Sequence, residues 1–63
     1  MKNTIKETKR KQGLKTVDIL RETGFSKSYF YGVIKGEYVP SLANARKLAE
    51  ALNTTVEKLF PEN

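Results

Sequence analysis

The stretch Thr23-Gly24-Phe25-Ser26 separates two short runs of helical periodicity, and it limits the possible folds more than any other feature of the sequence. Before it, Val17, Ile19 and Leu20 belong to a segment running from about Lys15 or Thr16 to Thr23. After it, Phe30, Val33 and Ile34 recur at i, i+3 and i+4, the spacing of one buried helical face, in a segment that ends near Lys35. Only a tight turn fits between them. Gly24 takes positive φ without steric cost. Phe25 offers an apolar anchor within the turn, and Ser26 is a good cap for the helix that follows.

The rest of the chain is punctuated in the same way. Thr4-Ile5-Lys6-Glu7 fits a capping box, opening a first helix that runs to about Gln12 and stops at Gly13. Thr16 is chemically the better cap for the second helix. The third helix ends at Gly36, and Glu37-Tyr38-Val39-Pro40 reads as a loop, because Pro40 removes an amide and biases Val39 toward an extended conformation. Ser41 caps a fourth helix in which Leu42, Ala45, Leu48, Ala49 and Leu52 recur with a 3–4 spacing, the clearest amphipathic pattern present; Asn53 is its expected end. Thr54-Thr55-Val56-Glu57 matches a second capping box. It opens a last helical turn carrying Val56, Leu59 and Phe60 and closed by Pro61. Nothing alternates with period two for long enough to make a sheet. The expected fold class is all-α: a compact bundle of five short helices, one domain over residues 1–63, without repeat or linker.

A chain of 63 residues buries only ~60% of the surface its unfolded form exposes. With no Cys and no His, disulfides are excluded and metal binding is disfavoured; no metal or other cofactor is expected. A Ser-His triad or a Cys nucleophile cannot be built, and no Gly-rich loop follows a strand, so no enzyme is expected. No apolar run approaches the ~20 residues of a membrane span, and Met1-Lys2-Asn3-Thr4 does not open a signal peptide. The expected location is the cytoplasm. The net charge of +5 is concentrated at one end. Lys2, Lys6, Lys9, Arg10, Lys11 and Lys15 are opposed only by Glu7, whereas the charges after Lys15 cancel. A basic N-terminal third on a balanced domain points to an anionic partner, unless it is simply a solvated face.

Two short helices joined by a Gly-containing turn are the elements of a helix-turn-helix. With these residues in place, the chain resembles, over nearly its full length, the phage repressor/Cro-type (XRE-type) helix-turn-helix regulators, whose fold is the lambda-repressor-like bundle. The resemblance rests on Gly13-Leu14, Gly24-Phe25-Ser26, Gly36, Pro40-Ser41-Leu42, Leu48-Ala49-Glu50-Ala51-Leu52 and Val56-Glu57-Lys58-Leu59-Phe60, in that order. The chain departs from the family where Leu20 stands in place of Ala, where Thr8 and Thr23 stand in place of Leu, and where Lys9 and Ile34 replace an Arg–Glu pair. Ile34 is therefore expected in the core, with Lys9 left to face phosphate.

The resemblance implies sequence-specific binding of double-stranded DNA by a transcriptional regulator, a Cro-like repressor. The helix at about 27–35 would lie in the major groove, with base contacts from Lys27, Ser28, Tyr31 and Gly32. Lys donates to guanine, Ser suits either base pair, and Tyr31 fits a thymine methyl. Gly32 is odd, because mid-helix Gly costs ~1 kcal/mol relative to Ala. It reads either as close approach of the backbone to DNA, as relief of crowding beside Leu20, or as tolerated drift. Phosphate contacts are expected from Lys6, Lys9, Arg10, Thr16, Tyr29 and Lys35, although Tyr29 also fits a packing role. A homodimer on a palindromic operator is implied. The resemblance places the Gly36–Pro40 loop and the last helix nearest the two-fold axis, hence contacts from Tyr38, Val39, Leu59 and Phe60, unless Leu59 and Phe60 simply seal the core. The alternative function is a protein-interaction module (antirepressor, antitoxin or adaptor) on the same fold. An adaptor would expose an apolar patch on the third helix, where a DNA reader exposes polar and basic groups.

Overall fold

The computed structural model describes residues 2–61; Met1, Glu62 and Asn63, and with them both ends of the domain drawn over 1–63, lie outside the described residues. Five helices follow one another: α1 (Ile5–Lys11), α2 (Thr16–Thr23), α3 (Lys27–Lys35), α4 (Leu42–Ala51) and α5 (Val56–Leu59), with no strand among the described residues. The all-α class and the helix boundaries agree with the sequence pattern. Each helix contributes at least one buried apolar side chain to a single core: Ile5, Ile19, Phe30 and Val33 from the first three, and the α4 stripe of Ala45, Leu48, Ala49 and Leu52 with Leu59 from the last two. α4 packs chiefly on α2 and α5.

Helix ends account for most of the specific hydrogen bonding. Ser26 and Ser41 cap α3 and α4 as expected, accepting from the amides of Tyr29 and Asn44 at 3.1 and 3.2 Å. Gly24 and Gly36 end α2 and α3 in the left-handed conformation. Asn53, at φ 54°, does the same for α4. The Thr54 amide then donates to the Ala49 carbonyl and the Asn53 amide to that of Glu50, the paired bonds of a Schellman closure.

The three remaining caps differ from the sequence reading. Thr4 does not form a capping box. Its hydroxyl donates to the Lys58 carbonyl (2.8 Å) and its amide to that of Leu59 (2.9 Å), and Asn3 Oδ1 instead accepts from the Ile5 amide. The Thr54–Glu57 box shifts by one: Thr55 is the cap and accepts from the Lys58 amide, so no Glu occupies the reciprocal position. Lys15, not Thr16, precedes α2, which starts without a side-chain cap.

Two apolar placements also differ. Ile34 is half-buried at the rim of the core rather than inside it, and Val17 is 56% exposed. Leu59 and Phe60 are buried, at 0% and 2% exposure, and cannot form the dimer contact expected of them. A 63-residue chain has too few apolar groups to spare two of the largest from its core.

The residues flanking α1 tie three C-terminal ends together. Asn3 Nδ2 donates to the Val33 and Ile34 carbonyls at the end of α3 (3.1 and 3.2 Å). Gln12 Nε2 donates to the Leu52 and Asn53 carbonyls at the end of α4, and Thr4 takes those of α5. Asn3→Asp keeps the acceptor for the Ile5 amide but replaces both donors with negative charge facing two carbonyls. It should destabilise by about 1–2 kcal/mol, no less than Asn3→Ala, as measured by urea or thermal unfolding. A smaller loss for Asp than for Ala would show that the cap on Ile5, not the clasp on α3, is what Asn3 contributes.

Candidate nucleic-acid interface

The turn between α2 and α3 sets the angle at which α3 is presented. Its anchor is Thr23, which is 7% exposed. The Thr23 hydroxyl donates to the Ile19 carbonyl (2.8 Å) and accepts from the Phe25 amide (3.3 Å), so one buried side chain ties the last turn of α2 to the first residues beyond Gly24. A Leu at this place could fill the space but could not hold the Phe25 amide. Phe25, half-buried, sets its ring edge against Tyr29 at 5.0 Å.

On α3, Lys27 and Ser28 are exposed in the first turn and Lys35 in the last, and Tyr31 is 40% exposed with its ring against that of Phe30. Beside it, the Tyr31 and Thr16 hydroxyls stand 3.5 Å apart, bringing the start of α2 to the middle of α3. A shallow depression is walled here by Lys6 and Lys9 of α1, Thr16, Tyr31, Ile34 and Lys35. A second lies along α3, bounded by Lys27, Ser28, Tyr31, Gly32, Lys35, Glu37 and Tyr38. The two share Tyr31 and Lys35, so three helices contribute to one continuous surface. Among the described residues no carboxylate pairs with Lys6, Lys9, Lys27 or Lys35. Arg10 borders a separate depression with Glu7, Lys11 and Lys58.

Gly32 and Tyr29 are both engaged in packing. Gly32 is buried, because the Tyr38 ring lies on it: a Cβ at Gly32 would fall on Tyr38 Cδ2 and Cε2. The close approach that a mid-helix Gly signals is made by the protein's own loop. Tyr29 is half-buried, stacked on Tyr38 (centroids 5.8 Å apart, planes at 12°), and its hydroxyl accepts from Asn44 Nδ2 of α4 at 3.1 Å. Its hydroxyl thus helps to pack α3 on α4, the packing role that the sequence also allowed. Tyr38 and Thr23 are the residues that sequence reasoning missed at this surface. Gly32 was the available signal for the first; nothing local signalled the second.

Two comparisons bear on this arrangement. A family model described as helix-turn-helix matches residues 5–59, nearly the whole chain. An uncharacterized HTH-type transcriptional regulator of Archaeoglobus fulgidus is 32% identical over 60 residues, covering 95% of this chain and 86% of that protein.

Thr23→Val keeps the volume and removes the acceptor, leaving the Phe25 amide without its partner. The expected cost is about 1–3 kcal/mol, read from denaturant unfolding. A change below about 0.5 kcal/mol, the range of ordinary surface substitutions, would mean that the turn is held by Gly24 and packing alone.

Proposed function

The chain belongs to the helix-turn-helix family of transcriptional regulators, and from that premise we propose that it binds double-stranded DNA sequence-specifically and represses transcription, Cro-like, by occupying its operator. The observation that carries this reading is the continuous surface in which Lys27, Ser28, Tyr31 and Lys35 of α3 adjoin Lys6 and Lys9 of α1, all four lysines without an ion pair among the described residues. α3 lies in the major groove with its first turn toward the bases. Lys27, Ser28 and Tyr31 read base edges; Lys6, Lys9, Thr16 and Lys35 hold phosphates on either side. Arg10, exposed on the same helix as Lys6 and Lys9, meets a phosphate at the margin.

The polar and basic character of the α3 face favours DNA over a protein-interaction module. Tyr31 and Tyr38 are the exposed aromatic groups at this face and Val17 is exposed on α2, while the two most exposed apolar side chains, Val39 at 72% and Leu42 at 61%, lie beside Pro40 in the loop and at the start of α4. This patch replaces Leu59 and Phe60 as the candidate self-association contact. It is too small for an obligate dimer and fits weak pairing completed on a palindromic operator.

Affinity for a selected duplex should fall with salt, log K against log [salt] having a slope of about −0.9 per phosphate held. Lys9→Ala should weaken operator and random DNA about equally and flatten that slope by about one unit. Lys27→Ala and Tyr31→Ala should instead narrow the preference for operator over random sequence by ~1–3 kcal/mol. A slope near zero would remove the DNA reading altogether; an unchanged preference in Lys27→Ala would show that α3 has been docked wrongly.

Sedimentation should find a largely monomeric free protein at micromolar concentration and two copies on one duplex. Val39→Asp with Leu42→Asp should reduce this to one copy per duplex at the concentration where the unmodified protein places two, without altering the monomer's fold. A single copy on the best selected duplex, or a site without dyad symmetry, would exclude the dimer.

A further inference from the structure

Gly32 leaves a gap in the outward face of α3, and a residue from outside the helix borders it. Ser28, Gly32 and Lys35 follow one another at i, i+4 and i+7, one line along the helix. Tyr31 stands on one side of that line. On the other side stands Tyr38, which comes from the loop after α3, folds back over Gly32 and is held there by stacking on Tyr29. The chain closes the turn tightly enough for this: the Glu37 and Tyr38 amides both donate to the Gly32 carbonyl, at 2.8 and 3.3 Å. Tyr38 stays 46% exposed and Tyr31 40% exposed, and both rings line one shallow cleft together with Lys27, Gly32 and Glu37. The cleft has Ser28 toward one end of that line and Lys35 toward the other.

We propose that this cleft seats the C5-methyl group of a thymine in the major groove, and that Tyr38, a loop residue, thereby determines specificity. The proposal rests on the DNA-binding reading of α3 and deepens it. The chemistry follows from the walls. Two exposed aromatic side chains lining one depression suit a small apolar group, and among the four bases only thymine presents one in the major groove. Ser28 and Lys35, at the ends of the cleft, supply polar partners for neighbouring base edges or phosphate. A side chain on residue 32 would fall on the Tyr38 ring, so the glycine is required to seat Tyr38 as a wall of the cleft. The helix-propensity cost of a mid-helix Gly is the consequence of that requirement.

The test removes the methyl from the DNA rather than the ring from the protein. After selection of the best site from random duplexes, each thymine is replaced singly by deoxyuridine and affinity is measured for the unmodified protein and for Tyr38→Ala, Tyr38→Phe and Gly32→Ala. One thymine per half-site should lose about fourfold in affinity, the value of one buried methyl at about 0.8 kcal/mol and 1.4 kcal/mol per decade. That loss should vanish in Tyr38→Ala, persist in Tyr38→Phe, and vanish in Gly32→Ala, whose new methyl evicts the ring while leaving Tyr38 in the chain. Because the comparison is between two duplexes for each protein, a general loss of stability in any variant cancels. Equal deoxyuridine losses in the unmodified protein and Tyr38→Ala, or a selected site with no sensitive thymine, would overturn the Tyr38 assignment and leave DNA binding standing. If no duplex is selected at all, the DNA-binding reading fails and the cleft assignment fails with it.

Discussion

The structure depends on how it satisfies the ends of its helices. An α-helix leaves four amides and four carbonyls without intrahelical partners, and helices of 4 to 10 residues consist largely of ends. A core of eleven apolar side chains cannot absorb many unpaired polar groups in so small a molecule. Most termini are therefore closed by a specific device: Ser and Thr caps at the start of α3, α4 and α5, left-handed Gly or Asn at the end of α2, α3 and α4, and the side chains of Asn3, Thr4 and Gln12, which flank α1, reaching to the last carbonyls of three other helices; the start of α2 has no side-chain cap. No buried side-chain polar atom among the described residues lacks a partner. α1 is short and contributes a single buried residue, Ile5, yet the polar side chains that flank it bind the last carbonyls of three other helices.

These closures make α3 a rigid presenting element. At its N-terminal end, Ser26 caps the helix and Thr23 fixes the turn before it; at its C-terminal end, Gly36 turns the chain back and Asn3 holds the final carbonyls. Tyr29 bonds it to α4 through Asn44, and Phe30 and Val33 anchor it in the core. What remains free is the single face carrying Lys27, Ser28, Tyr31 and Lys35. A recognition surface supported at both ends by packed elements positions its side chains more narrowly than a loop could.

Gly32 and Tyr38 show how one economical exchange shapes that face. Omitting a side chain in the middle of the helix weakens it locally, but lets a ring from the following loop lie where that side chain would have been. The ring also stacks on Tyr29, so the loop after α3 is ordered by the helix it completes. The two most exposed apolar groups, Val39 and Leu42, follow this ring in the chain and line neither depression that carries the lysines.

Local chemistry determined much of this protein. The glycines, the Ser caps and the 3–4 spacing of Leu42, Ala45, Leu48, Ala49 and Leu52 act within a few residues of themselves, so the five helices, the turn at Gly24 and most of the core were legible without a fold. The ordered motifs from Gly13-Leu14 to Phe60 carried the family as well. Tertiary structure decided whatever required a partner distant in the chain. Thr4 reads as a capping residue until α5 offers it the Lys58 carbonyl, 54 positions away. Leu59 and Phe60 could seal a core or meet a second subunit, and only the available volume chose between these. Thr23 stands where the family has Leu, and only the Phe25 amide, brought to its hydroxyl by the turn, gives it a role. Gly32 announced that something approaches closely, but a sequence cannot say what; the turn at Gly36 brought Tyr38 back onto the helix and settled it.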